Sequence, residues 1–345
     1  MGNRSGTLKL SLYAATSCLL ILLSQFLLAC QRCDSPELVR IGLTPWPPFE
    51  YLFLAEKKGF FEKRGIKVKL VEYTAVEDTR RAFERGQIDI MGTSPSDIIL
   101  ARQNSKKPAQ VIAVIDFSNG ADVVVAKSNI RTTKDLKNTK VGTEITTVSS
   151  YLLLKALESV GLSLEDVTIE AVNQIDMYKA MKSGNIHAAS TYPPYSLAML
   201  SNQDYHVIFS SSQIPGQIID VLAANAHDIE RRRADYAKVL LGYFEAVDYA
   251  KKYPEESMEF MAAREHITPA EFERSFDKVV MVSMDEQRTF LGPAGKFEGL
   301  IDKVANAMVK LGHYEPGSKV SGTWTDLVIE SAMEQSKKSG KLHDD

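Results

Sequence analysis

The sequence predicts an α/β fold with mostly parallel sheets flanked by helices. Between residues 38 and 224, short apolar strand patterns alternate with amphipathic helical patterns, an arrangement typical of parallel sheets that helices cover on both faces. The chain is 44% hydrophobic and 25% charged, which is the composition of a soluble globular protein. Its 345 residues are sufficient for two globular lobes of ordinary size.

The predicted elements follow one another in order along the chain. Strands are predicted at 38–44, 66–73, 88–93, 110–115, 121–126, 140–144, 167–172, 187–191, 206–210 and 218–224. Helices are predicted between most of them, at 49–58, 76–85, 95–103, 147–160, 175–182 and 193–200. From about residue 227 onward the pattern contains helices only, at 227–253, 255–263, 269–279, 296–312 and 325–337, before a polar tail over 338–345 that is expected to fray.

The first strand, loop and helix form the most informative segment of the chain. The Pro-rich run at 45–48 ends the strand and stiffens the loop that holds Trp46. Apolar residues at helical spacing follow, and Gly59 and Gly65 bracket a short break before the second strand. The order strand, loop, helix, strand is the start of an α/β domain.

The N-terminus has the features of a secretory signal peptide with a lipid attachment site. A positively charged start precedes an uncharged apolar run ending at Ala29, a small residue directly before Cys30. We therefore predict a signal peptide over 1–29, lipidation of Cys30 and a tether over 30–37. The alternative is an uncleaved transmembrane anchor, for which the run is just long enough. In either case the rest of the chain is expected outside the cytoplasmic membrane, on its periplasmic side or at the cell surface.

Loops at the carboxyl ends of the strands carry the candidate ligand contacts. Two of these loops open helices with hydroxyl side chains, at 93–96 and at 146–150. Unpaired N–H groups and the helix dipole at such positions suit an anion, and capping of the helix is the alternative role for each hydroxyl. The predicted contact residues are Trp46, Pro47, Tyr73, Thr93, Ser94, Ser96, Thr147, Ser149, Ser150, Tyr192 and Asp220.

The first loop and helix also carry a family resemblance. The residues concerned are Trp46 and Pro47 after the first strand, and Ala55, Glu56, Gly59, Phe60 and Phe61 before the second. With them the segment resembles the N-terminal unit of the solute-binding proteins of ABC importers. The branch it resembles serves taurine, aliphatic sulfonates, nitrate and thiamine-pyrimidine precursors. The resemblance recurs from about residue 38 to about residue 225.

The resemblance implies the two-lobed periplasmic-binding-protein fold of type II, with a helical C-terminal part packed on lobe one. It implies a discontinuous lobe one, made of residues 38–118 and 220–337, and a lobe two at 119–219. It also implies that Trp46 and Tyr192 are aromatic walls of the pocket. Asp116, Asp122 and Asp220 then lie near the hinge, where a carboxylate could pair with a ligand amine or remain a solvated charge.

The function that the resemblance implies is capture of a small organic solute between two lobes and its delivery to a permease. Sulfonates, taurine-like zwitterions and pyrimidine precursors are the candidate solutes, and an ABC permease and its ATPase are the partners of a monomeric binding protein. A sensor subunit that reports to the membrane is an alternative. No basic stripe suggests nucleic acid as a partner, and no cofactor or metal is expected.

An enzyme of the thiamine-pyrimidine synthase type is the rival class. Similar synthases carry a cysteine-rich iron-binding motif, whereas this sequence has no cysteine after Cys33. Its six histidines are scattered without the spacing of a metal site, and the sequence contains neither a nucleophile elbow nor a phosphate-binding loop. The sequence therefore favours a binding protein over an enzyme.

Overall fold

The computed structural model describes residues 37–317 and 320–341, with side chains described up to residue 338. The predicted signal peptide, Cys30 and nearly all of the tether lie outside the described residues. Within that part of the chain, no helix is long and apolar enough to cross a membrane.

Eleven strands and thirteen α-helices make up the described fold. The strands are β1 (Val39–Leu43), β2 (Val68–Glu72), β3 (Ile90–Thr93), β4 (Ala109–Ser118), β5 (Val123–Lys127), β6 (Lys140–Thr143), β7 (Thr168–Ala171), β8 (Ala188–Thr191), β9 (Tyr205–Ser210), β10 (Ile219–Asn225) and β11 (Val279–Met281). The helices are α1 (Glu50–Lys57), α2 (Phe60–Lys63), α3 (Val76–Glu84), α4 (Pro95–Asn104), α5 (Val148–Glu158), α6 (Gln174–Ser183), α7 (Tyr195–Leu200), α8 (Ala226–Lys252), α9 (Pro254–Arg264), α10 (Pro269–Phe276), α11 (Gln287–Leu291), α12 (Lys296–Lys310) and α13 (Leu327–Lys341).

The strands form two separate sheets, which confirms the predicted two-lobed α/β fold. The six-stranded sheet has the order β11-β4-β10-β3-β1-β2, and the five-stranded sheet has the order β7-β6-β8-β5-β9. The chain passes from the first sheet to the second between β4 and β5, and it returns between β9 and β10. Each sheet is flanked by helices, because each buries apolar side chains on both faces.

The sheets are mixed, and the prediction that they are mostly parallel was wrong in this respect. Among the described strands, four pairs are parallel and five are antiparallel. The physical reason lies in the two crossings. β4 leaves the first sheet where β10 enters it, so the two neighbours run in opposite directions, and β5 and β9 are antiparallel in the second sheet for the same reason.

Every strand predicted between residues 38 and 224 is present, but three short elements differ from the sequence prediction. Residues Phe60–Lys63, read as a break, form α2. The strand β11 pairs with β4, although only helices were expected after residue 227. The helix predicted at 269–279 ends at Phe276, and α11 was not predicted. Elements this short carry too few residues for a periodic pattern to be visible.

The C-terminal helices pack on the six-stranded sheet, as predicted, with α8 and α13 on one face and α12 on the other. The longest of them, α8, buries an apolar stripe against the N-terminal strand and helix. The stripe consists of Tyr236, Val239, Leu240, Tyr243, Phe244 and Val247. The last helix, α13, continues to Lys341, past residue 337 where the tail was expected to begin, because its Ser, Lys and Gln residues are compatible with a helix.

A buried pair of serine hydroxyls joins the two crossings between the sheets. Ser118 at the end of β4 and Ser211 after β9 lie with their Oγ atoms 2.7 Å apart, and both are fully buried. Ser211 Oγ also accepts a hydrogen bond from the N–H of Gly120 at 2.6 Å, and Ser118 Oγ accepts one from the N–H of Asp122 at 3.0 Å. Gly120 has a φ of 114°, which a residue with a side chain adopts only under strain.

Replacing Ser211 with alanine is expected to destabilise the junction between the sheets. The Ser118 hydroxyl and the Gly120 N–H both lose a partner, and an unpaired buried polar group costs about 1–3 kcal/mol. Urea denaturation followed by circular dichroism should show that loss in the free energy of unfolding. The exposed neighbour Ser212 is the matched control, since Ser212→Ala removes only a surface bond to Ser210. Equal stability of the two variants would contradict a bracing role for Ser211.

Candidate functional site

The candidate site is a cavity at the junction of the two sheets. It contains about 370 Å³ of space that no atom occupies, including open solvent at its mouth. Elements of both sheets contribute to it, among them the loops after β1, β3 and β8 and the two crossing strands. The lining residues are Thr44, Trp46, Phe49, Val76, Thr93, Ser94, Asp122, Val148, Tyr192 and Asp220.

Two aromatic side chains meet across this cavity. Trp46 follows β1 of the first sheet and Tyr192 follows β8 of the second, and their rings lie edge to face with centroids 6.1 Å apart. Each is only 5% exposed. Tyr195 in turn packs edge to face on Tyr192, with centroids 5.7 Å apart. The two side chains predicted to be aromatic walls are thus brought together, at right angles to each other.

Three aspartates lie beside the cavity at the crossings. Asp116 on β4 and Asp220 on β10 are direct cross-strand partners, and Asp122 lies at the start of β5 on the other side of the crossing. Asp122 and Asp220 line the cavity. Asp116 is completely buried, and its Oδ2 accepts a hydrogen bond from Trp46 Nε1 at 3.1 Å. Its Oδ1 accepts no hydrogen bond from an N–H or hydroxyl donor among the described residues.

Burial and mutual repulsion raise the pKa of each of these carboxyl groups. Burial is the largest cause for all three. The charge of Asp122 also raises the pKa of Asp116, whereas the hydrogen bond from Trp46 lowers it. The charges of Asp116 and Asp122 raise the pKa of Asp220 further, and so does its side-chain hydrogen bond with Asp116. The pKa of Asp122 is raised to about 6.

The second sheet contributes a fourth buried carboxyl group, Glu144. It lies directly after β6, and Tyr192 Oη donates a hydrogen bond to its Oε2 at 3.4 Å. Burial raises the pKa of Glu144 to about 7. The charge of Asp97, on the other sheet's helix α4, raises it too. The junction is therefore surrounded by acidic groups on both sides.

The hydroxyl-rich loop before α4 contributes to the cavity, but its own carboxylate occupies the helix N-terminus. Thr93 and Ser94 line the cavity, whereas Ser96 is buried and hydrogen-bonds Ser94 Oγ at 2.7 Å. Ser94 Oγ also donates to Asp97 Oδ2 at 3.2 Å. Thr93 Oγ1 lies near Asp97 but makes no well-aligned hydrogen bond. Asp97 already satisfies the positive end of this helix, which leaves less of it for an anionic ligand.

The hydroxyl-rich loop before α5 is occupied by internal hydrogen bonds. Thr147 Oγ1 caps the helix by accepting from the N–H of Ser149 at 3.2 Å, and Ser150 Oγ donates to the Thr147 carbonyl at 2.8 Å. Ser149 Oγ accepts from Gln174 Nε2 at 3.1 Å. None of these three hydroxyl residues lines the cavity; their neighbour Val148 does. The capping role is therefore the one that the geometry shows here.

Two more predicted contacts lie beside the cavity and not in its wall. Pro47 begins the buried 3₁₀ turn that orients Trp46. Tyr73 packs against the bare backbone of Gly42, where a Cβ would lie 3.1 Å from the tyrosine ring. Of the eleven predicted residues, the cavity brings together Trp46, Thr93, Ser94, Tyr192 and Asp220.

Sequence reasoning missed half of the lining. Asp122 was considered near the hinge but not included, and the others are Thr44, Phe49, Val76 and Val148. Thr44 and Val76 lie within one or two residues of predicted loops, so the rule of the carboxyl edge could have found them. Phe49 and Val148 carried no signal, because an apolar residue in the first turn of a helix usually belongs to the core.

The site offers little to a metal ion or a nucleophilic mechanism. In the described ranges, no group of three His, Cys, Asp or Glu side chains is arranged to hold a metal. The cavity wall contains no histidine, cysteine, lysine or arginine. What the arrangement can do is surround a small solute with aromatic rings, apolar side chains and carboxyl groups.

The buried carboxyl groups predict that the chain becomes less stable as the pH rises. A group whose pKa is raised on folding binds its proton more tightly in the folded state, so stability is lost between the unfolded pKa, about 4, and the folded one. Asp116→Asn keeps a hydrogen-bond acceptor for Trp46 but removes the titratable carboxyl group. The free energy of unfolding should therefore fall less steeply with pH, by up to about 1.4 kcal/mol per pH unit.

Urea denaturation at pH 5 and at pH 8 measures this effect, with Asp248→Asn as the control for the loss of one formal charge. The Asp248 side chain is 76% exposed. An Asp116→Asn variant that loses as much stability as the unmodified chain between the two pH values would contradict the buried, proton-holding state of Asp116.

Known proteins resemble the chain in both sequence and fold. The family model described as NMT1/THI5 like matches residues 46–257. An Escherichia coli (strain K12) protein, provisionally named aliphatic sulfonates-binding protein, is 28% identical over 247 residues, covering 70% of this chain and 76% of that protein. A Haemophilus influenzae protein, provisionally named thiamine biosynthesis protein, is 23% identical over 215 residues, covering 61% of this chain and 68% of that protein.

Solved structures agree in fold. The alkanesulfonate-binding protein SsuA from Xanthomonas axonopodis pv. citri bound to MOPS aligns with a TM-score of 0.74 at 17% identity, covering 85% of this chain and 99% of that chain. The family model spans more than half of the sequence, including the Trp46 loop and most of the cavity wall. The chain therefore belongs to the NMT1/THI5-like family.

Proposed function

We propose that this protein is the extracytoplasmic solute-binding component of an ABC importer. The observation that carries the proposal is the cavity between the two sheets, which Trp46 and Tyr192 close from opposite sides. A solute in a site whose wall comes from both sheets contacts both of them and so favours their closed arrangement, which is the form that a membrane partner recognises. The names of relatives as solute-binding proteins support the same role.

The proposed contacts combine predicted and newly found residues. Trp46 and Tyr192 would supply aromatic surface, and Thr93, Ser94 and Asp220 would supply polar groups. Asp122 and Thr44 join them, on the basis of their place in the wall. Pro47, Ser96, Thr147, Ser149 and Ser150 act indirectly in this proposal, by holding the loops in place, and Tyr73 packs behind them.

The proposed lobes follow the two crossings. Lobe one comprises residues 38–118 and 220–337, and lobe two comprises residues 119–219. The hinge is then the pair of crossings joined by Ser118 and Ser211. Binding of a solute shifts the lobes toward a closed arrangement, by a rotation that the few crossing residues absorb.

The proposed setting is the periplasmic side of a membrane or the cell surface. A lipid on Cys30 anchors the chain there, and the monomer delivers its solute to a permease and an ATPase. A sensor as the partner instead of a permease would use the same closed lobes, and the genes next to this one would distinguish the two. We propose binding without catalysis, supported by a cavity wall that lacks histidine, cysteine and lysine.

Replacing Trp46 with alanine is expected to weaken solute binding at least tenfold, because the change removes the aromatic contact from the cavity wall. The first step is a thermal-shift screen of the chain from residue 34 with taurine, alkyl sulfonates, nitrate, aminopyrimidines and flavins, since a solute that binds the folded state raises the melting temperature. Isothermal titration of the best compound with both forms of the chain then measures the change. Unaltered affinity would remove Trp46 from the site.

The tryptophan fluorescence of the chain offers a matched control. The sequence contains only two tryptophans, and the other one, Trp324, packs on Phe297 with centroids 5.7 Å apart and does not line the cavity. Solute should therefore still alter the fluorescence of a Trp324→Phe variant and should leave that of a Trp46→Phe variant nearly unchanged. A response that follows Trp324 would place the bound solute elsewhere.

Closure of the lobes is expected to make the molecule more compact. Small-angle X-ray scattering with and without the best compound should show a smaller radius of gyration in its presence. An unchanged radius at saturating concentrations of a tightly bound compound would contradict closure and leave the binding result standing.

A further inference from the structure

The carboxyl groups at the junction form an arrangement that a sheet does not favour by itself. Asp116 and Asp220 lie directly opposite each other on antiparallel strands, where like charges are destabilising. Asp122 contributes a third carboxyl group close to both, since its charge acts on each of them. Strand pairing does not require aspartate at these positions, since the neighbouring pair on the same strands, Phe117 and Ile219, is apolar.

No cationic side chain compensates these carboxyl groups in the described structure. The cavity wall contains no lysine, arginine or histidine. The buried Arg80 forms ion pairs with Glu84 at 2.6 Å, and with Glu77 and Asp97 at 3.5 Å. Asp116 Oδ1 is fully buried and accepts no N–H or hydroxyl donor among the described residues. Buried carboxylates are ordinarily paired with a cation, whereas Asp116 and Asp220 share a hydrogen bond with each other.

The rest of the wall suits the body of an organic cation. The Trp46 and Tyr192 rings both line the cavity, nearly at right angles to each other, and aromatic faces attract cations. Phe49, Val76 and Val148 offer apolar surface to a carbon skeleton. The wall thus combines an acidic end with aromatic and apolar surface.

We propose that the solute is an organic cation, whose protonated amine or amidine nitrogen lies against Asp220 and Asp122. This inference rests on the proposed function and names the chemical class of its solute. A sulfonate or nitrate group at the same place would meet three carboxyl groups and no positive charge. The hydroxyl groups that could have held an anion on the opposite wall, those of Thr147, Ser149 and Ser150, hydrogen-bond within the protein.

A matched set of probes tests the charge directly. Benzylamine and benzamidine carry a positive group on a small aromatic body, and benzenesulfonate and benzoate carry a negative group on the same body. At pH 7 the two cations are expected to raise the melting temperature and to give measurable heats of binding, and the two anions are expected to do neither. Asp220→Asn should weaken benzylamine binding at least tenfold, whereas the surface variant Asp248→Asn should leave it unchanged.

The same Asp220→Asn variant gives a second readout that needs no solute. If the carboxyl group serves binding at the expense of stability, its removal should raise the melting temperature of the empty protein at pH 8 more than at pH 5. A carboxyl group that serves only the fold would lower the melting temperature instead. Asp122→Asn replaces it in both measurements if Asp220→Asn does not fold.

The outcomes separate this inference from the function on which it rests. Binding of benzenesulfonate, and not of the amines, would overturn the organic-cation class and leave the solute-binding role intact. Amine binding that Asp220→Asn and Asp122→Asn do not weaken would also overturn it, since the carboxyl groups would then only share a proton. If no probe and none of the solutes screened above bound, the solute-binding role would fail together with the inference.

Discussion

The double crossing of the chain between its two sheets is the constraint on which the rest of the structure depends. β4 and β10 leave and enter the first sheet side by side, and β9 and β5 do the same in the second. The hydroxyl groups of Ser118 and Ser211 join the two crossings inside the protein. Because the two crossings lie side by side, the cavity next to them is bounded by residues that are far apart in the sequence.

The junction is well packed, but the carboxyl groups buried in it destabilise the folded state. The crossing strands are well packed and hydrogen-bonded, yet they carry three buried carboxyl groups without a cationic side chain beside them. Residues that oppose folding in this way are commonly retained where function requires them. The aromatic pair of Trp46 and Tyr192 compensates in part, since it buries apolar surface against both sheets and Trp46 donates a hydrogen bond to Asp116.

Much of the fold could be predicted from local sequence patterns. The strands from β1 to β10 and the major helices have clear periodicity, so their existence was predictable although their ends shifted by a residue or two. The errors concern α2, α11 and β11, which are short and depend on neighbours. The clearest case is β11, whose three residues form a strand because they lie beside the edge of β4. The local sequence of β11 does not show that this edge is nearby.

The sequence by itself determined the α/β class, the stiff loop at Trp46 and the order of the loops that could meet a ligand, because periodicity, prolines and helix caps act over a few residues. Only the tertiary structure decided which of those loops form one cavity. The opposition of Asp116 and Asp220 results from strand register, across a separation of about a hundred residues. Pairing between distant strands leaves no trace in local patterns, and for that reason the direct opposition of these two carboxyl groups emerged only from the fold.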